Sequence, residues 1–90
     1  MARVAFTRHL LRFFPDLAEG QVEGSTVAEV VAALDGQHPG LARYLCEDRG
    51  GLRKHVNVFV DGELVRDRAE LTDAVGPTSE LFIVQALSGG

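Results

Sequence analysis

A short segment near the middle of the chain, Val56–Val60, places the strongest constraint on the fold of this sequence. Its three valines alternate with Asn57 and Phe59, so the valines share one face of an extended strand. Asp61 and Gly62 follow at once, and this dipeptide is typical of a two-residue hairpin turn with positive φ. The segment therefore predicts a strand buried on one face, followed by a tight hairpin and a brief return strand.

The flanking sequence supplies more strands and a helix. Thr26 and Glu29 have the spacing of a capping box, which predicts the start of an amphipathic helix. Asp35 and Gly36 predict the end of that helix, since glycine is common just past a helix terminus. We predict other strands at 3–7, 21–23 and 81–84, a second, shorter helix at 41–47, and an irregular segment at 66–75.

The last strand has two unlike faces. We expect Leu81 and Ile83 to face the helix, which leaves Phe82 and Val84 on the other face together with Phe59. Apolar residues on the uncovered face of a small sheet predict a partner-binding surface. The alternative is that residues 10–14, which are too apolar for a plain loop, fold over this face and cover it.

The end of the sequence predicts a narrow tail. We divide the chain into a folded domain, residues 1–84, and a flexible segment, residues 85–90, which finishes in Gly89 and Gly90. Glycine has no Cβ, so this pair can enter a tight channel and present the Gly90 carboxylate at its tip. The alternative is a frayed end without a function.

Composition excludes several function classes. A net charge of −4 argues against nucleic acid as the main partner, because phosphate binding needs excess positive charge. The local cluster of Arg49, Arg53, Lys54 and His55 is interpreted as a solvated loop. The apolar runs are too short to cross a bilayer, and the amino end lacks the pattern of a secretory signal. We therefore predict a cytoplasmic protein without a membrane partner.

Cys46 is the only cysteine of the chain. An intramolecular disulfide and a four-cysteine metal or iron–sulfur site are thereby excluded. His38 and His55 lie eight and nine residues from Cys46, which is not the close pairing of a zinc ligand set. We predict no metal site.

Several of these segments resemble the ubiquitin-like β-grasp sulfur carriers. The family includes the molybdopterin synthase small subunit, the thiamin sulfur carrier and the cysteine-synthesis sulfur carrier. The resemblance rests on the strand and hairpin at 56–62, on Leu71, Asp73 and Val75, and on the last strand with its diglycine. It implies an α+β fold, with a mixed four- to five-stranded sheet, one main helix on one face and a protruding diglycine tail. The chain length and the second helical piece look more like the molybdopterin and cysteine carriers than the thiamin carrier.

The resemblance also implies a chemistry for Gly90. An activating enzyme of the ubiquitin-activating type would use ATP to join the Gly90 carboxylate to AMP. A persulfide sulfurtransferase would then displace AMP and leave a thiocarboxylate, which a synthase subunit consumes. Gly89 would give clearance in that active site. The protein is then a co-substrate that binds no cofactor, not an enzyme.

The implied docking surface contains Phe59, Phe82, Val84, Gln85 and Leu87. Gln85 stands where relatives often carry a proline. Two other functions use the same residues differently. The chain could be a ubiquitin-like modifier joined through Gly90 to lysines of other proteins, or a β-grasp interaction module whose diglycine is incidental.

Overall fold

The computed structural model describes residues 1–85, which form one mixed sheet with helices packed on one face. The elements are β1 (Ala2–Phe6), α1 (Arg8–Leu11), β2 (Gly20–Val22), α2 (Val27–Gln37), α3 (Leu41–Leu45), β3 (Val56–Val60), β4 (Glu63–Leu64) and β5 (Glu80–Gln85). The strand order is β2-β1-β5-β3-β4. β5 runs parallel to β1 and antiparallel to β3. The predicted α+β, β-grasp arrangement of the sheet is confirmed.

The core lies where the inner face of the three central strands meets α2. Val4, Val58 and Ile83 come from adjacent strands and are completely buried. The apolar stripe of α2, which includes Val27 and Val30, packs on them. Burial of each such side chain contributes about 1.5–3 kcal/mol relative to exposure. Every second residue of the strands therefore faces the apolar stripe of α2, and this packing holds the sheet and the helix together.

The predicted capping box begins α2. The Thr26 hydroxyl accepts a hydrogen bond from the Glu29 amide at 3.2 Å. The Glu29 carboxylate reaches back to the Ser25 amide at 2.7 Å. The first bond satisfies an amide of the first turn that has no partner within the helix, and the second satisfies the amide of the residue before the N-cap.

The irregular segment 66–75 holds the first turn of α2 as well. The amides of Val27 and Ala28 donate to the carbonyls of Asp73 and Leu71 at 3.1 and 2.9 Å. Leu71 is buried, although its φ of 57° lies in the left-handed region. This segment therefore fixes the helix to the β4 side of the chain.

Two carboxylates give the segment its shape. Asp67 accepts hydrogen bonds from the Thr72 hydroxyl and the Glu70 amide, and these bonds lower the pKa of the Asp67 carboxyl. Asp73 accepts from the amides of Arg66 and Asp67, which lowers the pKa of the Asp73 carboxyl. In each case the bonds favour the ionised carboxylate.

Acid is therefore expected to destabilise the fold through this segment. A carboxyl whose pKa is lower in the folded chain than in the unfolded chain stabilises the fold at pH values above its unfolded pKa, which is near 4. That stabilisation is lost as the pH falls through the pKa of the folded chain. The urea midpoint should fall more steeply below about pH 4 in the wild type than in Asp67→Asn. Asp48→Asn, at an exposed loop carboxylate, is the matched control and should follow the wild type.

Some predicted element boundaries were wrong. α2 continues past Gly36 to Gln37 and ends at His38, whose ψ of 81° lies outside the helical region that the following Pro39 disfavours. Asp35 does not end α2. Instead its carboxylate accepts a hydrogen bond from the Ala42 amide at 2.9 Å and so helps to begin α3. None of the helices formed by residues 1–85 is long and apolar enough to cross a membrane.

The apolar segment after β1 forms an additional helix, α1, that the sequence did not predict. Leu10 is completely buried, and Phe14 packs against the core from a half-buried position. Phe14 also meets the Tyr44 ring of α3, with 5.6 Å between the centroids. The segment folds back onto the molecule on the helix side of the sheet.

Candidate functional site

A row of apolar residues crosses the uncovered face of the sheet. The strand register places Ala5 beside Phe82, Phe82 beside Phe59, and Phe59 beside Leu64. Phe82 and Leu64 are 44% and 49% exposed. We call these four residues the outer row. A shallow depression between its members is lined by Ala5, Phe59, Gly62, Glu80, Leu81 and Phe82.

The structure places the predicted outward residues on the open face. Phe82 is exposed, while Phe59 and Val84 are half-buried. The alternative that residues 10–14 cover this face is wrong, because that segment packs on the helix side. The sequence interpretation missed Ala5 and Leu64. Ala5 alternates with buried Val4, which was the available signal, whereas Leu64 depended on the hairpin register.

β5 is the central strand of the sheet. It pairs with β1 from Arg3 to Phe6 and with β3 along the whole of Val56–Val60. Both edges of β5 are therefore hydrogen-bonded, and neither is free to pair with another chain. Because Leu81 and Ile83 are buried on the inner face, the strand is held in one register. This fixes the position of Phe82 and of the strand's carboxyl end.

Gln85 belongs to β5 rather than to the segment after it. It lies opposite Val56 in the β3 pairing, and its amide donates to the Thr7 hydroxyl at 3.3 Å. Its side chain faces the helix side, away from the outer row, and its Oε1 is buried without a hydrogen bond within residues 1–85. A depression on this side is lined by Phe14, Gly40, Arg43, Tyr44, Arg53 and Gln85.

The other predicted site residues, Leu87, Gly89 and Gly90, lie outside the described residues. The structure therefore brings together Phe59, Phe82 and Val84 on one face and sets Gln85 on the other. What the described residues offer is an apolar surface that crosses β5, the strand that leads into the diglycine segment. Such an arrangement can bind a partner while the following residues reach it.

Side-chain chemistry offers little in residues 1–85. Cys46 is half-buried, and this burial raises the pKa of its thiol despite the nearby Arg53 guanidinium, so the reactive thiolate is disfavoured. Within the same residues no three His, Cys, Asp or Glu side chains are grouped as metal ligands would be.

Comparison with known proteins gives a consistent set of relatives. Residues 11–90 match the model of the ThiS family. The chain is 35% identical over 88 residues to Small archaeal modifier protein 1 of Haloferax volcanii, an alignment that covers 88% of this chain and 97% of the relative.

Solved structures of similar proteins share the fold. The Amycolatopsis orientalis BexX/CysO complex contains a chain with a TM-score of 0.85 and 26% identity, with complete coverage of both chains. SAMP1 from Haloferax volcanii has a TM-score of 0.74 and 30% identity, covering 99% of this chain and 98% of that one. Mycobacterium tuberculosis CysO has a TM-score of 0.83, covers 97% of this chain and all of its own, and at 22% identity is a likeness of fold alone.

Proposed function

Because the chain belongs to the ThiS family of ubiquitin-like β-grasp sulfur carriers, we propose that it carries sulfur as a thiocarboxylate on Gly90. The observation that carries the proposal is the family match over residues 11–90, which includes the diglycine as well as the folded domain. The protein is then a co-substrate of its partner enzymes, acting in the cytoplasm.

The proposed chemistry needs three displacements, at the α-phosphorus of ATP, at the Gly90 carbonyl and at a disulfide sulfur. The carboxylate attacks the α-phosphate of ATP in an activating enzyme of the ubiquitin-activating type, and pyrophosphate leaves. The terminal sulfur of a persulfide then attacks the carbonyl of the mixed anhydride, and AMP leaves. A thiol cleaves the resulting acyl disulfide, which frees the thiocarboxylate and leaves a disulfide on the donor. A sulfur-accepting synthase subunit consumes the product.

The folded domain supports this role by positioning the reacting end. β5 is hydrogen-bonded on both edges, so its carboxyl end has a fixed direction relative to the outer row. A partner that binds Phe59, Phe82 and Val84 would hold the carboxyl end of β5. Contacts with Gln85 and Leu87 would extend that binding toward Gly90. Binding at a distance from the reacting atom supplies proximity, which can account for much of the acceleration.

A second function is favoured by one relative's name. The protein with 35% identity is called a modifier, so attachment of Gly90 to lysines of other proteins is the main alternative. Both routes begin with adenylation and use the same residues. If copies of this chain were joined to one another through a lysine, the only acceptor side chain would be Lys54.

The synthase that takes the sulfur is proposed to be of the molybdopterin or cysteine type rather than the thiamin type. The support is the length of the chain and the presence of α3 between α2 and β3. The structural likeness to the CysO chain of the BexX/CysO complex, with complete coverage of both chains, is in keeping with this choice.

Mass spectrometry separates the two functions. We expect protein isolated from its own source to contain a fraction whose mass reflects exchange of one oxygen for sulfur, located at Gly90 by fragmentation. Alkylation before digestion should trap this thiocarboxylate. An isopeptide between Gly90 and a foreign lysine, with no sulfur-bearing form, would instead establish the modifier function. If neither form is found in cells that contain the activating enzyme and the sulfur donor, the interaction module is the better account of the function.

A further inference from the structure

Cationic side chains gather at the end of the sheet where β5 finishes. In the parallel pairing Phe6 lies beside Ile83, so Arg8 follows on the β1 side of that end. In the antiparallel pairing Val56 lies beside Gln85, so the residues just before β3 flank the other side. These are Arg53, Lys54 and His55. The topology therefore brings charges from distant parts of the sequence to one edge.

Arg43 adds a charge from the helix side. The Arg53 guanidinium donates from Nε and Nη2 to the Arg43 carbonyl at 3.0 and 2.8 Å, which holds the Arg53 side chain against α3. Both arginines line the depression that contains Gln85. We call Arg8, Arg43, Arg53 and Lys54 the collar, and all four are exposed.

The collar charges are not neutralised within the described part of the chain. Among residues 1–85 the ion pair within 4.0 Å joins Arg3 to Glu19, neither of which belongs to the collar. Glu47 and Asp48 share a depression with Arg53 but lie beyond that distance. A protein of net charge −4 thus presents positive charge at the end from which residues 86–90 continue.

The opposite end of the central strands is acidic. Glu80 begins β5, and Asp61 lies beside it in the hairpin, where its carboxylate accepts a hydrogen bond from the Glu80 amide at 2.9 Å. Glu63 begins β4 at the same end. Carboxylates therefore gather at the start of β5, where Arg3 also lies, whereas the collar lies at the end that leads to residues 86–90.

On the basis of the proposed function, we propose that the collar steers this end of the protein into the anionic active site of the ATP-loaded adenylating enzyme. That site must accept a carboxylate next to the triphosphate of ATP, and the two groups repel each other. Five residues reach at most about 18 Å, so the collar stays near the reacting carboxylate along any path. Positive charge at that range attracts the phosphates of the nucleotide, and it offsets the repulsion of an otherwise acidic protein.

Two charge reversals test the collar. Arg43→Glu changes a collar side chain but keeps the carbonyl that holds Arg53, and Arg66→Glu changes an exposed arginine near the hairpin. The two variants carry the same net charge. The measurement is kcat/KM for adenylation of the carrier by the activating enzyme of its source, with saturating Mg-ATP. At about 0.01 M salt we expect Arg43→Glu to lose about tenfold and Arg66→Glu to resemble the wild type.

Salt and a second variant complete the test. At about 1 M salt, where the Debye length is about 3 Å, the Arg43→Glu loss should disappear. Lys54→Glu should reproduce it without touching the Arg43 and Arg53 contact, and circular dichroism should show that all three variants fold. Equal rates for Arg43→Glu and Arg66→Glu at low salt, or a loss that persists at high salt, would overturn the steering role.

Two further outcomes are distinguishable from these. If the wild type itself is not adenylated, the proposed function is refuted, and the collar proposal falls with it. If instead a fluorescent oligonucleotide binds the wild type at physiological salt and binding is lost in Arg43→Glu, the collar serves nucleic acid and the steering proposal is wrong.

Discussion

Addition of a single alanine after Gly90 is expected to abolish formation of the thiocarboxylate. The added residue moves the reacting carboxylate by up to about 3.6 Å and places a Cβ where the proposed channel accepts only glycine. A misplacement of about 1 Å can already cost about 100-fold in rate, so loading should fall at least that far. Intact mass after incubation with Mg-ATP, the activating enzyme and the persulfide donor measures the loaded fraction.

The control for this experiment is an alanine added before Met1, which should load like the wild type. Gly89→Ala offers an intermediate case, because it adds one methyl group but leaves the carboxylate at the same position in the chain. We expect it to load more slowly than the wild type and faster than the extended chain. Undiminished loading of the extended chain would refute the carrier function, since the reacting group would then not be the Gly90 carboxylate.

The fold was predictable where a local pattern and a tertiary requirement agree. The alternation in Val56–Val60 predicted the buried face correctly because the neighbouring strand β5 buries Leu81 and Ile83 on the same side. The capping box predicted the start of α2, since its hydrogen bonds join residues only a few positions apart. The end of α2 was less predictable. Gly36 can continue a helix at modest cost, and Pro39 sets the stop.

The site was predictable only in part, because pairing register decides which distant residues meet. Phe82 could be assigned to the open face from the period of its own strand. The extension of that face to Leu64 depends on the hairpin, and the neighbourhood of Gln85 depends on α3 and on the segment before β3. Arg53 was interpreted as part of a solvated loop for the same reason. Its position beside the end of β5 follows only from the strand order of the sheet.

Substitutions at two adjacent positions of β5 should separate docking from stability. Ile83 is completely buried, so Ile83→Ala removes core volume and should lower the free energy of unfolding by about 2–4 kcal/mol. Phe82 is 44% exposed on the opposite face. Phe82→Asp should change that free energy by about 1 kcal/mol, mainly through its cross-strand contact with Phe59. Urea unfolding measures both.

Loading kinetics should rank the same two variants in the opposite order. Removal of an apolar anchor from a docking surface typically costs 2 kcal/mol or more, so Phe82→Asp should lower kcat/KM for adenylation by about 30-fold. Ile83→Ala, at a temperature where it remains folded, should stay within about threefold of the wild type. Gln21→Asp places the same charge on edge strand β2 and should leave both properties unchanged.

The pattern of failure would identify which assumption is at fault. If Phe82→Asp unfolds the protein while Ile83→Ala does not, the inward and outward faces of β5 have been exchanged, and every residue of the strand would need the opposite role. If Phe82→Asp folds and loads normally, the orientation stands but the outer row is not where the activating enzyme binds. The alternation along one strand thus makes the fold and the docking surface separately testable, because neighbouring side chains serve different partners.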